Sequence, residues 1–407
     1  MRRVGWHGRG VAFGAGVGAM VLATTAMSGA AVAFGEGTAL IMSGTGQAEP
    51  ALGYVTDVGG AYIDPVLPGL AGQLVFPGYH PVGLTTPEQF WPVTPHLGDL
   101  TFGQSVARGL DILQNAIGQI YAGENLAVFG YSQSAAIVSA AMMALAAAGT
   151  GPDPAQLSFV MIGNPNTPDG GILERFAGLY IPVLDVLFNG ATPPDTVYPT
   201  AIYSVQYDGI THAPQFPLNV AADLNALLGY FYVHGAYPLS ADGLSVAVPL
   251  PVSPGYLDNG GVTDYYLIPT QNLPLLEPLR QVPYLGQVLA ELVQPALRVI
   301  VDLGYGDGYA DVPTPAGLVA LFNPITVAEH LVVGMGQGWQ AALVEAGVRP
   351  ESALPDLYPY LPGVHGLATS LQAALAGLAA PADIAPAAAE IAGEPAWPDP
   401  ASDSAVW

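Results

Sequence analysis

The chain has 407 residues, about half of them hydrophobic and a tenth charged, with 51 Gly and 39 Pro. That length supports a sizeable core, and the Gly and Pro content predicts many short elements joined by turns. Thirty-two acids stand against eight Arg and no Lys, a net charge of −24, so nucleic acid, which is held by neutralising its phosphates, is excluded as a partner. The absence of cysteine excludes a thiol nucleophile, a cysteine-based zinc or iron–sulfur site and a disulfide framework.

The N-terminus carries Arg2, Arg3 and Arg9, an apolar small-residue stretch from about Val11 to Met27, and then Ala31-Val-Ala33. A positive start, an apolar run and a small-residue cleavage site are the layout of a secretory signal over residues 1–33, with an uncleaved membrane anchor as the alternative. The expected location is therefore outside the cytoplasm, secreted or at the cell envelope. No later segment reads as a clean membrane span.

Ala39-Leu-Ile-Met-Ser43 is a short apolar run leading to Gly44-Thr45-Gly46, which predicts a buried strand and a glycine-bearing loop. Residues 47–100 read as loops and short elements. Phe102, Val106, Leu110, Leu113 and Ile117 predict a helix over Thr101–Ala122, with Thr101 as N-cap. A strand Asn125–Phe129, a tight turn at 130–134 and a small-residue helix Ala135–Ala148 closed by Gly149 follow. Further strands are predicted over Leu157–Ile162, Ala201–Tyr207 and Tyr265–Ile268, and a helix over Asn219–Phe231.

Strands alternating with helices predict an α/β fold with a mainly parallel central sheet and flanking helices. The apolar stretches in 164–200 and 271–335 break the alternation; they read equally as a cap over the active end of the sheet or as additional core helices. The domain is expected over residues 34–335. An Ala/Pro-rich extension over 336–407 should lack order beyond about residue 390.

The chemistry-bearing pattern is Gly130-Tyr-Ser132-Gln-Ser134, set between an apolar strand and an Ala-rich helix. A serine hydroxyl needs a base to become a nucleophile, and a sharp strand–turn–helix elbow presents it. Ser134 replaces the second Gly of the usual pattern, a small residue for a small residue. An N-capping serine on a βα turn is the plain alternative. The acid and base of such a site follow the serine in the order Asp, then His. Asp208 sits where a strand ends; before Gly209 it also reads as an Asx-turn residue. Among the histidines, His80 and His96 precede the serine and His212 lies too close behind Asp208. His234, in the loop after the next helix, is the favoured base, with His330 and His365 left open. The backbone N–H groups of Gln133 and Thr45 are candidates for an oxyanion hole, and the Thr45 hydroxyl is a candidate third donor. No metal-binding motif and no cofactor motif is present, so no cofactor is expected.

Ile41-Met-Ser-Gly-Thr-Gly46, Phe129-Gly-Tyr-Ser-Gln-Ser134, Val160-Met-Ile-Gly-Asn-Pro165, Gln206-Tyr-Asp-Gly209, Tyr232-Val-His-Gly-x-Tyr237 and Tyr266-Leu-Ile-Pro-Thr-x-Asn-Leu-Pro-Leu275 occur in this order. Together, over roughly residues 38–330, they resemble the PE-PPE domain family, serine α/β-hydrolases characteristic of mycobacteria. The resemblance implies an α/β-hydrolase fold and places the family's serine, acid and histidine on Ser132, Asp208 and His234. His212 departs from it, because the family often has Asp there. The signal- or anchor-like start is similar to that of members acting as acyltransferases in trehalose-glycolipid assembly.

Two functions follow. The first is an exported esterase, lipase or acyltransferase working on lipid esters or glycolipids through an acyl-enzyme, with peripheral or anchored membrane association. The second is a non-catalytic cell-envelope interaction protein that keeps the hydrolase fold, since fold alone does not guarantee activity.

Overall fold

The computed structural model describes residues 36–65 and 73–354. The segment expected to be a signal or anchor (1–33) and the final Ala/Pro-rich tail lie outside the described residues.

Strand β1 (Thr38–Ile41) leads into α1 (Leu52–Val58), β2 (His80–Gly83), α2 (Phe102–Asn115) and β3 (Leu126–Tyr131). Next come α3 (Gln133–Ala148), β4 (Leu157–Ile162), the short α4 (Ile172–Arg175), the two-residue strands β5 (Tyr180–Ile181) and β6 (Val186–Leu187), and β7 (Thr200–Val205). The chain continues through α5 (Val220–Tyr232), α6 (Ala241–Leu244), β8 (Val248–Pro249), β9 (Thr263–Ile268), α7 (Glu277–Arg280), α8 (Gly286–Asp302) and α9 (Pro324–Glu345).

Seven strands form one sheet in the order β2-β1-β3-β4-β7-β9-β8. All pairings are parallel except that of the edge strand β8, which runs antiparallel to β9. This is the α/β-hydrolase fold, with a mainly parallel sheet and helices on both faces. The central strands are apolar along their whole length because both faces are covered. Side chains alternate across the sheet with period two. Leu40, Met42, Val128, Phe159 and Ile202 pack with Leu113, Ile137 and Met142 of α2 and α3 on one face. Ala39, Ile41, Phe129, Val160 and Tyr203 pack with Val55 and Val58 of α1 and with Tyr62, Val233 and Tyr237 on the other.

Local signals set the helix ends. Thr101 accepts from Gln104 N–H while the Gln104 side chain accepts from Thr101 N–H, a capping box that starts α2. Asn219 accepts from Ala222 N–H at 3.1 Å to start α5, and Gly149, in the left-handed conformation, closes α3. The short elements expected somewhere within 47–100 include α1 and β2. Strand β2, His80-Pro-Val-Gly83, is an edge strand exposed along its whole length, so it carries no apolar alternation to read.

The segments that broke the alternation follow the carboxyl ends of β4 and β9. Leu173, Val186 and Phe188 cluster with Phe90 and Phe102, and Leu273, Leu276, Ala290 and Val301 cluster with Tyr207 and Ala222. They form satellite apolar clusters beside the sheet layers. Helix α9 runs through residue 335, where the sequence suggested that the domain ends. It packs along α8 with Gly334, Gly338 and Ala341 buried.

Chain order reverses at β1: β2 lies on one side of it, β3 and the later strands on the other. Such a switch point opens a crevice beyond the carboxyl ends of the two strands. The loops leaving β1 and β3 there are Gly44–Gly46 and Gly130–Ser134.

Candidate active site

Ser132 stands between β3 and α3 with φ 58° and ψ −115°, a conformation rare for a residue with a side chain. Such strain gives the sharp strand–turn–helix elbow expected from the sequence and persists only where the surroundings hold it. Gly130 is one reason it can form, because a Cβ there would lie 2.8 Å from Ser134 O and 2.9 Å from Ala135 Cα. Ser134 is the other. Its hydroxyl accepts from Tyr131 N–H at 2.8 Å and donates to Tyr131 C=O at 3.1 Å, closing the turn on itself. The sequence reading gave Ser134 only smallness; its hydroxyl is a brace that the usual Gly could not supply.

The structure brings Ser132, His234 and Asp208 together across 102 and 26 residues of chain. Ser132 Oγ lies 2.8 Å from His234 Nε2, and His234 Nδ1 lies 2.7 Å from Asp208 Oδ2. The proton positions follow from the partners. Asp208 accepts from Ile210 N–H through Oδ1 and from the Tyr237 hydroxyl through Oδ2. A carboxylate in that role accepts from Nδ1–H as well, which leaves Nε2 to accept a hydrogen bond from the Ser132 hydroxyl. Asp208 is fully buried and His234 nearly so. Asp208 lies in the tight turn after β7 and His234 just beyond α5, so one β–α unit delivers both.

Tyr237 and Tyr131 fasten this pair. The Tyr237 hydroxyl accepts from Val205 N–H at 3.2 Å while donating to Asp208 at 2.9 Å, which ties the acid to β7. The Tyr131 hydroxyl donates to the His234 carbonyl at 2.7 Å. Burial, followed by the nearby Asp208, pushes the Tyr131 phenol well above its ordinary range, so it stays a donor. Gly163, at the end of β4 with φ 58°, completes the fit, because a Cβ there would lie 3.0 Å from His234 Cε1.

On the opposite side, Gln133 opens α3, and as a first-turn residue its N–H has no acceptor within the helix. The Thr45 hydroxyl, a candidate third donor, donates instead to Gln133 Oε1 at 3.0 Å. The Gln133 amide nitrogen donates to Gln89 C=O at 2.8 Å. The loop after β1 is therefore laced to the start of α3 and to the 86–90 loop. Gly46 N–H donates to Glu88 C=O at 2.7 Å, which fastens the same loops a second time. Glu88 is fully buried, with φ 48°. Oε1 accepts from Thr86 at 2.7 Å, while Oε2 has no hydrogen-bond partner among the described residues. Desolvation raises its pKa from 4.5 to about 8, against the lowering effect of Thr86. Nothing in the sequence marks Glu88, because its burial comes from segments distant in the chain.

The other histidines lie elsewhere. His212 Nδ1 accepts from Tyr207 N–H at 3.3 Å and its ring stacks on Tyr305 at 4.7 Å. Burial, followed by Arg175, lowers its pKa to about 4 and keeps it neutral. His80 is on the exposed edge strand, His96 is exposed beside Asp99, His330 is on α9, and His365 lies outside the described residues. No cluster of His, Asp and Glu fit to hold a metal occurs among the described residues, and no helix among them is long and apolar enough to cross a membrane.

Fold and elbow define an α/β-hydrolase scaffold with a serine at its switch-point crevice. The PE-PPE domain model matches residues 77–306, and the chain belongs to the PE-PPE domain family. It is similar to PE family protein PE3 of Mycobacterium tuberculosis (52% identical over 333 residues, covering 81% of this chain and 68% of that protein). It is also similar to Esterase PE16 (42% over 371 residues, 89% and 66%) and to SL1278 acyltransferase Chp1 (33% over 263 residues, 62% and 61%) of the same organism. The chain thus spans about two thirds of the length of these relatives. A solved cutinase-like protein from Cryptococcus sp. aligns over 44% of this chain and 80% of its own at 17% identity, with a TM-score of 0.28, too slight a likeness to carry weight.

Proposed function

We propose that the protein is an exported acyl-transfer enzyme on lipid esters, an esterase, lipase or acyltransferase, with Ser132 as nucleophile, His234 as base and Asp208 as the acid that orients it. The observation that carries this reading is the unbroken hydrogen-bonded series from Ser132 Oγ through His234 to buried Asp208. The relatives named esterase and acyltransferase support the same class of chemistry.

In this mechanism His234 Nε2 takes the Ser132 proton as Oγ attacks the ester carbonyl. The imidazolium is held by Asp208 and then gives that proton to the leaving alcohol as the ester C–O bond breaks. An acyl group stays on Oγ. The N–H groups of Gln133 and Thr45 are proposed to receive the developing oxyanion, at the start of α3 where the helix dipole favours negative charge. A second cycle with water releases a fatty acid, and with a sugar hydroxyl it gives an acylated sugar. Both outcomes use the same three side chains.

A fluorophosphonate probe tests the reading. Labelling of the wild type that vanishes in Ser132→Ala is expected, and an unlabelled, folded wild type would overturn it. Product analysis with a lipid ester, with and without trehalose, then separates free fatty acid from acyl-sugar.

A further inference from the structure

Helix α5 carries two opposite faces. Ala222, Asn225, Ala226 and Gly229 are buried against the protein. Val220, Leu224, Leu227 and Phe231 recur at intervals of four, three and four residues, which keeps them on one narrow stripe facing away from that core. They are 66%, 46%, 54% and 67% exposed, and Leu218, just before the helix, is 67% exposed. Over the length of α5 the stripe runs roughly 17 Å at 1.5 Å per residue. A continuous exposed apolar surface of this kind marks a place of contact.

Its position says what it would contact. The helix ends two residues before His234, and the Tyr230 ring at its last turn stacks on the His234 ring at 5.8 Å. The stripe therefore ends beside His234, with Phe231 against Tyr230 at a ring distance of 5.1 Å. Its charge says the same. No Arg or Lys occurs from residue 176 to 279. Of the five Arg among the described residues, Arg175, Arg280 and Arg298 are buried, leaving Arg108 on α2 and Arg349 beyond α9 at the surface. A chain of net charge −24 with so few exposed cations cannot approach a lipid layer through anionic headgroups. Apolar and aromatic side chains at a helix face provide the other route.

We propose that the exposed face of α5 docks on the surface of uncharged lipid and so brings the ester bond to Ser132. This deepens the reading of the Ser132 site and rests on it for the identity of the partner. The source of the ester is then an aggregated, neutral lipid rather than a dissolved one.

The absence of cysteine makes the test direct. The full chain is prepared as Leu227→Cys and separately as Leu224→Cys, each in a Ser132→Ala background, and labelled with a polarity-sensitive fluorophore. Ala122→Cys, exposed near the amino end of β3 and so at the far end of that strand from Ser132, serves as control. On adding phosphatidylcholine vesicles that contain triacylglycerol, a blue shift of about ten nanometres or more is expected at 227 and 224, with none at 122. Vesicles that bind the protein without shifting the α5 labels would overturn the proposal, as would an absence of binding. A label at 227 already shifted without lipid would also overturn it, pointing to a second copy if the shift depends on concentration and to another part of this chain if it does not. Because Ser132 is absent throughout, a failed probe reaction at Ser132 and a failed docking surface give separate results.

Discussion

On the His234 side of Ser132, the proposed base side, Asp208 takes three donors, from Ile210, Tyr237 and His234, and the structure leaves neither of its oxygens bare. On the other side, Thr45, Gln133, Gln89 and Glu88 are held by hydrogen bonds between loops and the start of α3, and Glu88 Oε2 has no hydrogen-bond partner among the described residues. The base side is anchored to strand β7 through Tyr237. The other side, where the oxyanion is proposed to sit, hangs between the loop after β1, the loop after β2 and the start of α3. The contrast places a titratable weak point, buried Glu88, on the second side.

The largest effect is expected from Asp208→Asn, which can present an amide N–H to His234 and so favours the wrong tautomer. A fall of about 10³–10⁴-fold in kcat/KM on a soluble ester is expected with the fold retained; a loss under tenfold would break the claim that the base side depends on this acid. Gln133→Ala keeps the backbone N–H but removes both tethers. A fall of roughly 10–100-fold is expected, mostly in kcat, since one misplaced oxyanion donor costs on that order. If kcat is unchanged, the lacing of the loops is structural only.

Tyr237→Phe removes one donor from Asp208 Oδ2 and leaves Val205 N–H without its acceptor. Hydrogen bonds to charged groups are worth about 1.5–3 kcal/mol, so a stability loss of that order is expected in urea unfolding, with a modest fall in kcat/KM. The smallest effect on activity, and the sharpest contrast between the two sides, belongs to Glu88→Gln. The folded Glu88 carboxyl has its pKa raised to about 8 from an ordinary 4.5. Its contribution is therefore fully present below pH 4.5 and is lost as pH rises towards 8 and beyond. Wild-type stability should fall relative to the Gln variant across that window, by a few kcal/mol at the order-of-magnitude level, and run parallel to it above. Parallel curves throughout, in unfolding measured at pH 5, 7 and 9, would remove the weak point.

Much of this molecule was legible in the sequence where the physical signal is local. The strand at Leu157–Ile162, the cap at Thr101 and the stop at Gly149 each follow from a run, a side-chain oxygen or a missing Cβ. Strand β2 was not legible, because an exposed edge strand has no buried face to pattern its residues. The course of α9 across residue 335 was not legible for a related reason, since the small residues that let it lie on α8 give no strong apolar period. At the site, Ser132, Asp208 and His234 could be named because each ends or follows a readable element and their order is constrained. The role of the Ser134 hydroxyl, the Tyr237 brace and buried Glu88 could not, because each depends on which distant backbone lies opposite.

The sequence alone thus determined the α/β alternation and singled out the elbow serine with its candidate partners in order, because hydrophobic period, turn chemistry and chain order are properties of neighbouring residues. Only the tertiary structure decided that His234 meets Ser132 at 2.8 Å and Asp208 at 2.7 Å, that His212 packs on Tyr305 instead, and that Glu88 is sealed under the loop after β1. Those outcomes depend on the parallel sheet, where strands far apart in sequence are packed side by side and fix which side chains lose water together.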